Sequence, residues 1–161
     1  MLVRELAQPV HLPALGPDLT ISCENAAVES AASRGLRIFA PYDVACVAFL
    51  AGGPVSIQAL RLTPERATLF GSLTRRDYRG RGLATLTTLT LLQQAWQRGY
   101  SQVFAATHVL NEASLQTLKK AGFQMDRGVL TMKIGPLNPG QWLDSGVCRI
   151  RNRMRSSQST P

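Results

Sequence analysis

The chain has 161 residues, with 18 Lys and Arg against 10 Asp and Glu for a net charge of +8, and 45% of it is hydrophobic. That length suits one domain with a real core, and the apolar fraction excludes an intrinsically disordered chain. No apolar run is long enough to span a bilayer, and Glu5 falls where a signal peptide would be apolar, so neither a membrane partner nor a secretory leader is expected.

Residues 1–20 are proline-rich and carry no clear period, although Leu19-Thr20-Ile21 reads as a short strand. Glu24 to Arg34 reads as a short helix of small residues, with Ser22 as a cap and Gly35 just past its end. Three strands follow, at Val44 to Leu50, Val55 to Leu62 and Ala67 to Leu73, separated by turn signals at Gly52-Gly53-Pro54 and Thr63-Pro64-Glu65. In the second of them Val55, Ile57 and Ala59 alternate with Ser56, Gln58 and Leu60, and short turns between successive strands predict an antiparallel meander.

Leu83 to Arg98 is the strongest helix. Leu86, Leu89, Leu92 and Trp96 follow its period, Leu91 and Ala95 widen the stripe, and Gly99 stops it. Gln102 to Thr107 reads as a strand buried on both faces. Asn111 then caps a second helix bearing Leu115 and Leu118 that ends at Gly122. Phe123 to Met125 and Val129 to Ile134 are expected to form a last strand pair around Arg127-Gly128. A strand, a helix and another strand in that order make a crossover, which forces the flanking strands parallel. Trp96 is expected in the core; Trp142 is left open between covering a sheet edge and another place.

Cys23, Cys46 and Cys148 are odd in number and lack metal-ligand spacing, so free thiols in a reducing cytoplasm are expected, with Cys46 as inert packing and no metal. Part of the positive charge lies in Arg149, Arg151, Arg153 and Arg155, within a polar tail over 141–161 that is expected to be disordered. The remaining excess is modest. With no zinc-finger, helix-turn-helix or aromatic-basic pattern, a nucleic-acid partner is not expected.

The chemistry concentrates in Arg79-Gly80-Arg81-Gly82-Leu83-Ala84, between the third strand and the long helix. A glycine-rich turn exposes several backbone amides to one pyrophosphate. Gly80 and Gly82 remove the Cβ atoms that would block approach, and the helix start adds the positive end of its dipole. Arg75, Arg76, Arg79 and Arg81 crowd positive charge into the same place. The dinucleotide fingerprint fails, because position 85 is Thr and the preceding strand belongs to a meander. A P-loop fails for want of Gly-Lys-Ser/Thr. Taken singly, each arginine reads equally well as a solvated side chain, and Arg79 reads also as a structural lock on the loop.

With Arg79-x-x-Gly82-x-Ala84 between a strand and a helix, then Asn111-x-x-Ser114 and Lys119-Lys120-Ala121-Gly122-Phe123, the chain resembles the GNAT superfamily of acyl-CoA-dependent N-acyltransferases over roughly residues 43–135. The resemblance implies an α/β (α+β) fold: a mixed, mostly antiparallel sheet with helices on both faces. It implies a single domain over 1–140 whose N-terminal part, 1–42, is short or atypical. It also implies acetyl-CoA or another acyl-CoA as co-substrate and an amine acceptor. Leu73 and Thr74 would meet the pantetheine arm and the thioester; Arg79, Gly80, Arg81, Gly82, Leu83, Ala84 and Thr85 would hold the pyrophosphate; Asn111 and Ser114 would bond around the arm. Many family members carry a tyrosine acid seven residues after the asparagine, where this chain has Leu118. Of the nearest tyrosines, Tyr78 and Tyr100, the latter is expected to pack. His108 is the best-placed candidate base, with a structural histidine as its alternative. Glu65 lies at the far end of its strand, and Ser72 and Thr74 are placed to hold a relaying water. A catalytically silent CoA-binding module is the alternative reading, and a second subunit completing the acceptor pocket, as in a homodimer, stays open.

Overall fold

The apolar runs between Val44 and Thr74 form the middle of a single sheet in the computed structural model, which describes residues 1–125. Strand β1 spans Leu2–Glu5, β2 Leu19–Ser22, β3 Val44–Leu50, β4 Gly53–Thr63, β5 Arg66–Thr74, β6 Gln102–Ala105 and β7 Gln124–Met125. Helix α1 spans Asn25–Ser33, α2 Leu83–Gln97 and α3 Glu112–Lys120, and a 3-10 turn covers Arg76–Tyr78. The strand order is β2-β3-β4-β5-β6-β1-β7. All pairings are antiparallel except β5 with β6, which the α2 crossover makes parallel. The expected meander and mixed sheet are therefore present, with β4 buried without interruption from Pro54 to Leu60.

Helices cover both faces. On one, Val28 and Ala31 of α1 and the following Leu36 pack on Ala45, Val47, Ile57 and Ala59. On the other, Leu91, Leu92 and Ala95 of α2 and Leu118 of α3 pack on Cys46, Leu60, Leu69 and Val103. Removing these side chains from water is the main stabilising term, roughly 1.5–3 kcal/mol for each large one.

Four expectations need correction. Residues 1–20 hold a second strand besides the one expected at Leu19-Thr20-Ile21: Leu2–Glu5 insert between β6 and β7, with Leu2 opposite both Ala105 and Met125, and Leu2, Leu6 and Val10 join the core. Four residues carry too short a pattern to be read, and their partners lie about a hundred positions away. The deeply buried stripe of α2 is Leu83, Thr87, Thr88, Leu91, Leu92 and Ala95, while Leu86, Leu89 and Trp96 are only half-buried beside it. Polar residues enter the core there because Gln58 of β4 accepts bonds from Thr88 Oγ1 (2.7 Å) and Thr87 Oγ1 (3.5 Å). A stripe drawn through leucines alone is rotated away from that face. Strand β6 stops at Ala105 rather than Thr107, and Phe104 is half-buried beneath the Arg66 guanidinium rather than enclosed.

The fourth correction concerns the cysteines. Ser22 pairs with Val47, and one further step of that antiparallel register sets Cys23 opposite Cys46, their Cα atoms 4.1 Å apart and their sulfurs joined as a disulfide. The expectation of free thiols fails for this pair, and the argument from cysteines to a reducing compartment falls with it. The proposed strand at Val129–Ile134, Trp142, Cys148 and the arginine tail lie outside the described residues. No helix among the described residues is long and apolar enough to cross a membrane.

Candidate functional site

Two parallel strands part company at the site. β5 pairs with β6 only from Ala67↔Val103 to Leu69↔Ala105; β6 then ends while β5 runs on to Thr74. The divergence has a visible cause on the other edge of β5. Its register with β4 shifts between Ile57 and Ala59, so that Gln58 stands against the two residues Gly71 and Ser72, a β-bulge. Gly71 takes φ +64°, and Ile38 packs close enough that a Cβ there would lie 3.3 Å from its Cγ2. A side chain at this position would be both strained and crowded. The bulge bends β5 away from β6 and leaves an open wedge between them.

The wedge is lined with a backbone donor that takes no acceptor among the described residues. Ser56 and Thr74 face each other, and the flanking bond runs from the Arg75 N–H to the Val55 carbonyl (2.9 Å). That is the pattern of a non-hydrogen-bonded antiparallel pair, so the N–H and C=O of Thr74 both point to the wedge. Arg79 Nε donates to the Thr74 carbonyl (3.2 Å), which leaves the N–H. Ser56 Oγ donates to the Leu73 carbonyl (3.2 Å) and shares a 2.8 Å bond with Thr74 Oγ1, pinning the strand end from below. Leu73 itself is 41% exposed, an apolar surface at the mouth of the wedge.

From Thr74 the chain makes its 3-10 turn and enters the glycine loop. Gly80 and Gly82 adopt φ +76° and +77°, and among the described residues, chain neighbours aside, no heavy atom lies within 4 Å of where a Cβ on either would stand. Gly82 is the N-cap of α2 and supplies no side-chain cap; the first intrahelical bond runs from the Leu86 N–H to its carbonyl. The N–H groups of Leu83, Ala84 and Thr85 therefore have no acceptor within their own helix. Residues Arg79 to Gly82 are exposed, and the Arg81 guanidinium sits over the Tyr78 ring at 5.3 Å. An uncapped helix start, two glycines with open space above them and surrounding cations fit a pyrophosphate.

The opposite wall begins where β6 ends. Asn111 caps α3 with its Oδ1, which accepts the Ser114 N–H at 3.1 Å. Leu73 and Thr74, the glycine loop, Asn111 and Ser114 thus gather at the carboxyl ends of the two parallel strands, the place where α/β folds form their crevices. His108 stands exposed in the connection after β6. Its Nδ1 accepts the Leu110 N–H (3.2 Å), so that ring nitrogen is engaged by its own turn. Leu118 is 4% exposed and belongs to the core, so α3 presents no acid there. Tyr100 donates to the Thr63 carbonyl (2.9 Å) at the other end of β5, in the packing role expected of it. Glu65 sits in the turn at that same distant end, beside Thr63 and Arg66. Arg75 turns toward α1, its Nη2 donating to the Arg34 carbonyl (3.1 Å). Ser56, Gln58, Thr87 and Thr88 were not singled out from sequence. The available signal was a serine and a glutamine on the same face of an otherwise apolar strand.

A model of the acetyltransferase (GNAT) family matches residues 5–123. No curated protein matches the chain. Among solved structures, the chain is similar to a GCN5-related N-acetyltransferase from Kribbella flavida, with TM-score 0.56 and 20% identity over 76% of this chain and 52% of that one. It is similar to the ribosomal-protein-alanine N-acetyltransferase from Escherichia coli, with TM-score 0.54 and 17% identity over 71% of this chain and 84% of that one. It is also similar to AAC(6')-Iy in complex with the bisubstrate analogue CoA-S-monomethyl-acetylneamine, with TM-score 0.57 and 14% identity over 73% and 99%. At these identities the likeness is one of fold. The chain spans about half the length of the Kribbella protein.

Proposed function

The chain belongs to the acetyltransferase (GNAT) family, and from that premise we propose that it moves an acyl group, most simply acetyl, from acyl-CoA to a primary amine by direct attack within a ternary complex. The observation that carries the reading is the wedge between β5 and β6, which ends at an exposed, uncapped helix start. In this reading the N–H groups of Leu83, Ala84 and Thr85, with Gly80 and Gly82 beneath, hold the pyrophosphate, and Arg79 and Arg81 add charge. The pantetheine arm lies in the wedge between Leu73 and Thr74 on one side and Asn111 and Ser114 on the other. The amine nitrogen bonds to the thioester carbon, and the Thr74 N–H donates to the oxygen as it becomes an oxyanion, an effect of about 3 kcal/mol for one good donor. The C–S bond then breaks, the thiolate leaves, and the ammonium proton passes to water. An ordinary thiol pKa of about 8.5 makes the thiolate a tolerable leaving group without a protein acid.

The Escherichia coli relative is an alanine N-acetyltransferase of a ribosomal protein, and AAC(6')-Iy is seen with a CoA-linked acetylneamine. A shared fold does not choose the acceptor. The test is calorimetry with acetyl-CoA and CoA: saturable binding is expected, and its absence from folded protein ends the reading. Two observations favour a second reading, a CoA-binding module without turnover. The position of the family's acid is the buried Leu118, and Nδ1 of His108 is engaged by its own turn. Thiol release with a panel of amines separates the two.

A further inference from the structure

The wedge opens on two faces of the sheet. α2 and the glycine loop take one, so the nucleotide end of a CoA belongs there and an amine must come from the other, where α1 packs. On that side the connection from Arg34 to Asp43 overhangs the last residues of β5: Ile38 packs on Gly71, and the Arg34 carbonyl receives Arg75 Nη2. The overhang presents Arg34 and Arg37, both exposed, and Phe39, which is 86% exposed; Arg75 and Arg76 stand at the strand end beside it.

Helix capping accounts for little of this. Arg37 Nε donates to the Ala32 carbonyl (3.4 Å) and Arg75 Nη2 to that of Arg34, both at the negative end of α1. A helix end carries roughly half a negative charge, against four guanidinium charges. Each bond uses one of five donors. Neither goes to a carboxylate, and a cap does not explain an exposed phenylalanine among arginines. Exposed arginine beside exposed aromatic is the composition of a protein-binding surface, and the planar fork of arginine suits carboxylates in pairs.

Resting on the acyltransfer reading above, we propose that the Arg34–Asp43 overhang is the acceptor dock, and that it takes a peptide whose amino-terminal amine is followed closely by acidic residues. Arg34 and Arg37 hold the carboxylates while Phe39 covers an apolar side chain between them, which leaves the α-amine at the mouth of the wedge. The same charge repels polyamines and lysine-rich tails.

The test uses two matched free-amine peptides, Ala-Glu-Asp-Glu-Leu-Gly and Ala-Lys-Arg-Lys-Leu-Gly, titrated by calorimetry against the full chain with CoA present, and then assayed by thiol release with acetyl-CoA. The acidic peptide is expected to bind at least about tenfold tighter, with the preference shrinking as salt rises. The double variant Arg34→Glu, Arg37→Glu is expected to reverse the preference with CoA affinity and Tm unchanged, and Phe39→Ala to weaken the acidic peptide's binding. Equal binding of the two peptides, or a preference that survives charge reversal, overturns the dock. So does loss of CoA affinity in the double variant, because the arginines would then serve the nucleotide while the acyltransfer reading stood. Failure of the wild-type chain to bind CoA removes the acyltransfer reading itself, and the dock with it.

Discussion

The wedge is flanked by two helix starts of opposite character. α2 begins at Gly82, a left-handed glycine that caps nothing, while α3 begins at Asn111, whose side chain satisfies the Ser114 N–H. Both follow one of the two parallel strands, and both sit at the carboxyl end of it. A helix start that serves only the fold is closed from within, since a cap contributes about 1 kcal/mol. A start left open forgoes that stabilisation and keeps its donors for something else. On the reading proposed above, the α2 start is the one that would hold an anion, while the α3 start serves chiefly the fold.

Substitutions at the two caps break or sharpen this contrast. Gly82→Asp places a carboxylate over the open N–H groups, on a backbone of positive φ that aspartate, like asparagine, tolerates better than other side chains. CoA affinity is expected to fall about 100-fold by calorimetry with the circular dichroism spectrum retained; unchanged affinity contradicts the assignment. Gly82→Asn converts α2 to the closed kind, since asparagine tolerates the left-handed region and caps well. CoA affinity is expected to drop about tenfold while Tm holds or rises. Arg81→Ala removes one exposed charge and is expected to cost about threefold, an effect that raised salt should erase. Asn111→Ala should lower stability by about 1 kcal/mol, a few degrees in Tm, and change CoA affinity by less than about threefold. A larger loss of affinity would show that the Asn111 side chain also hydrogen-bonds the cofactor arm it flanks in the proposed reading.

A further contrast separates the halves of the sheet. From Val44 to Gly82 the elements are long, their turns carry strong local signals, and the sequence reading places them to within a residue or two. The loop, its two glycines and the Asn111 cap are legible for the same reason: each is specified by residues inside one turn of chain. At the other edge, β1 has four residues and β7 two, too few for any period to declare itself. Ser56 and Gln58 interrupt an apolar pattern, but their partners Thr74 and Thr88 come from other elements, so sequence shows the interruption without its purpose.

By itself, then, the chain's sequence determined which segments are strands and helices in its middle, that β5 and β6 run parallel, and that a glycine-rich turn flanked by arginines lies between β5 and α2. The tertiary structure alone decided that residues 2–5 complete the sheet, that Cys23 meets Cys46, that α2 buries threonines rather than its outer leucines, and that β5 bends away to open a wedge. The division has a physical basis. Periodicity, turn chemistry and capping act over a few residues and leave their mark on neighbouring positions. Strand order, cross-strand pairing and bulges are settled by which distant surfaces exclude water together, a choice no single segment records.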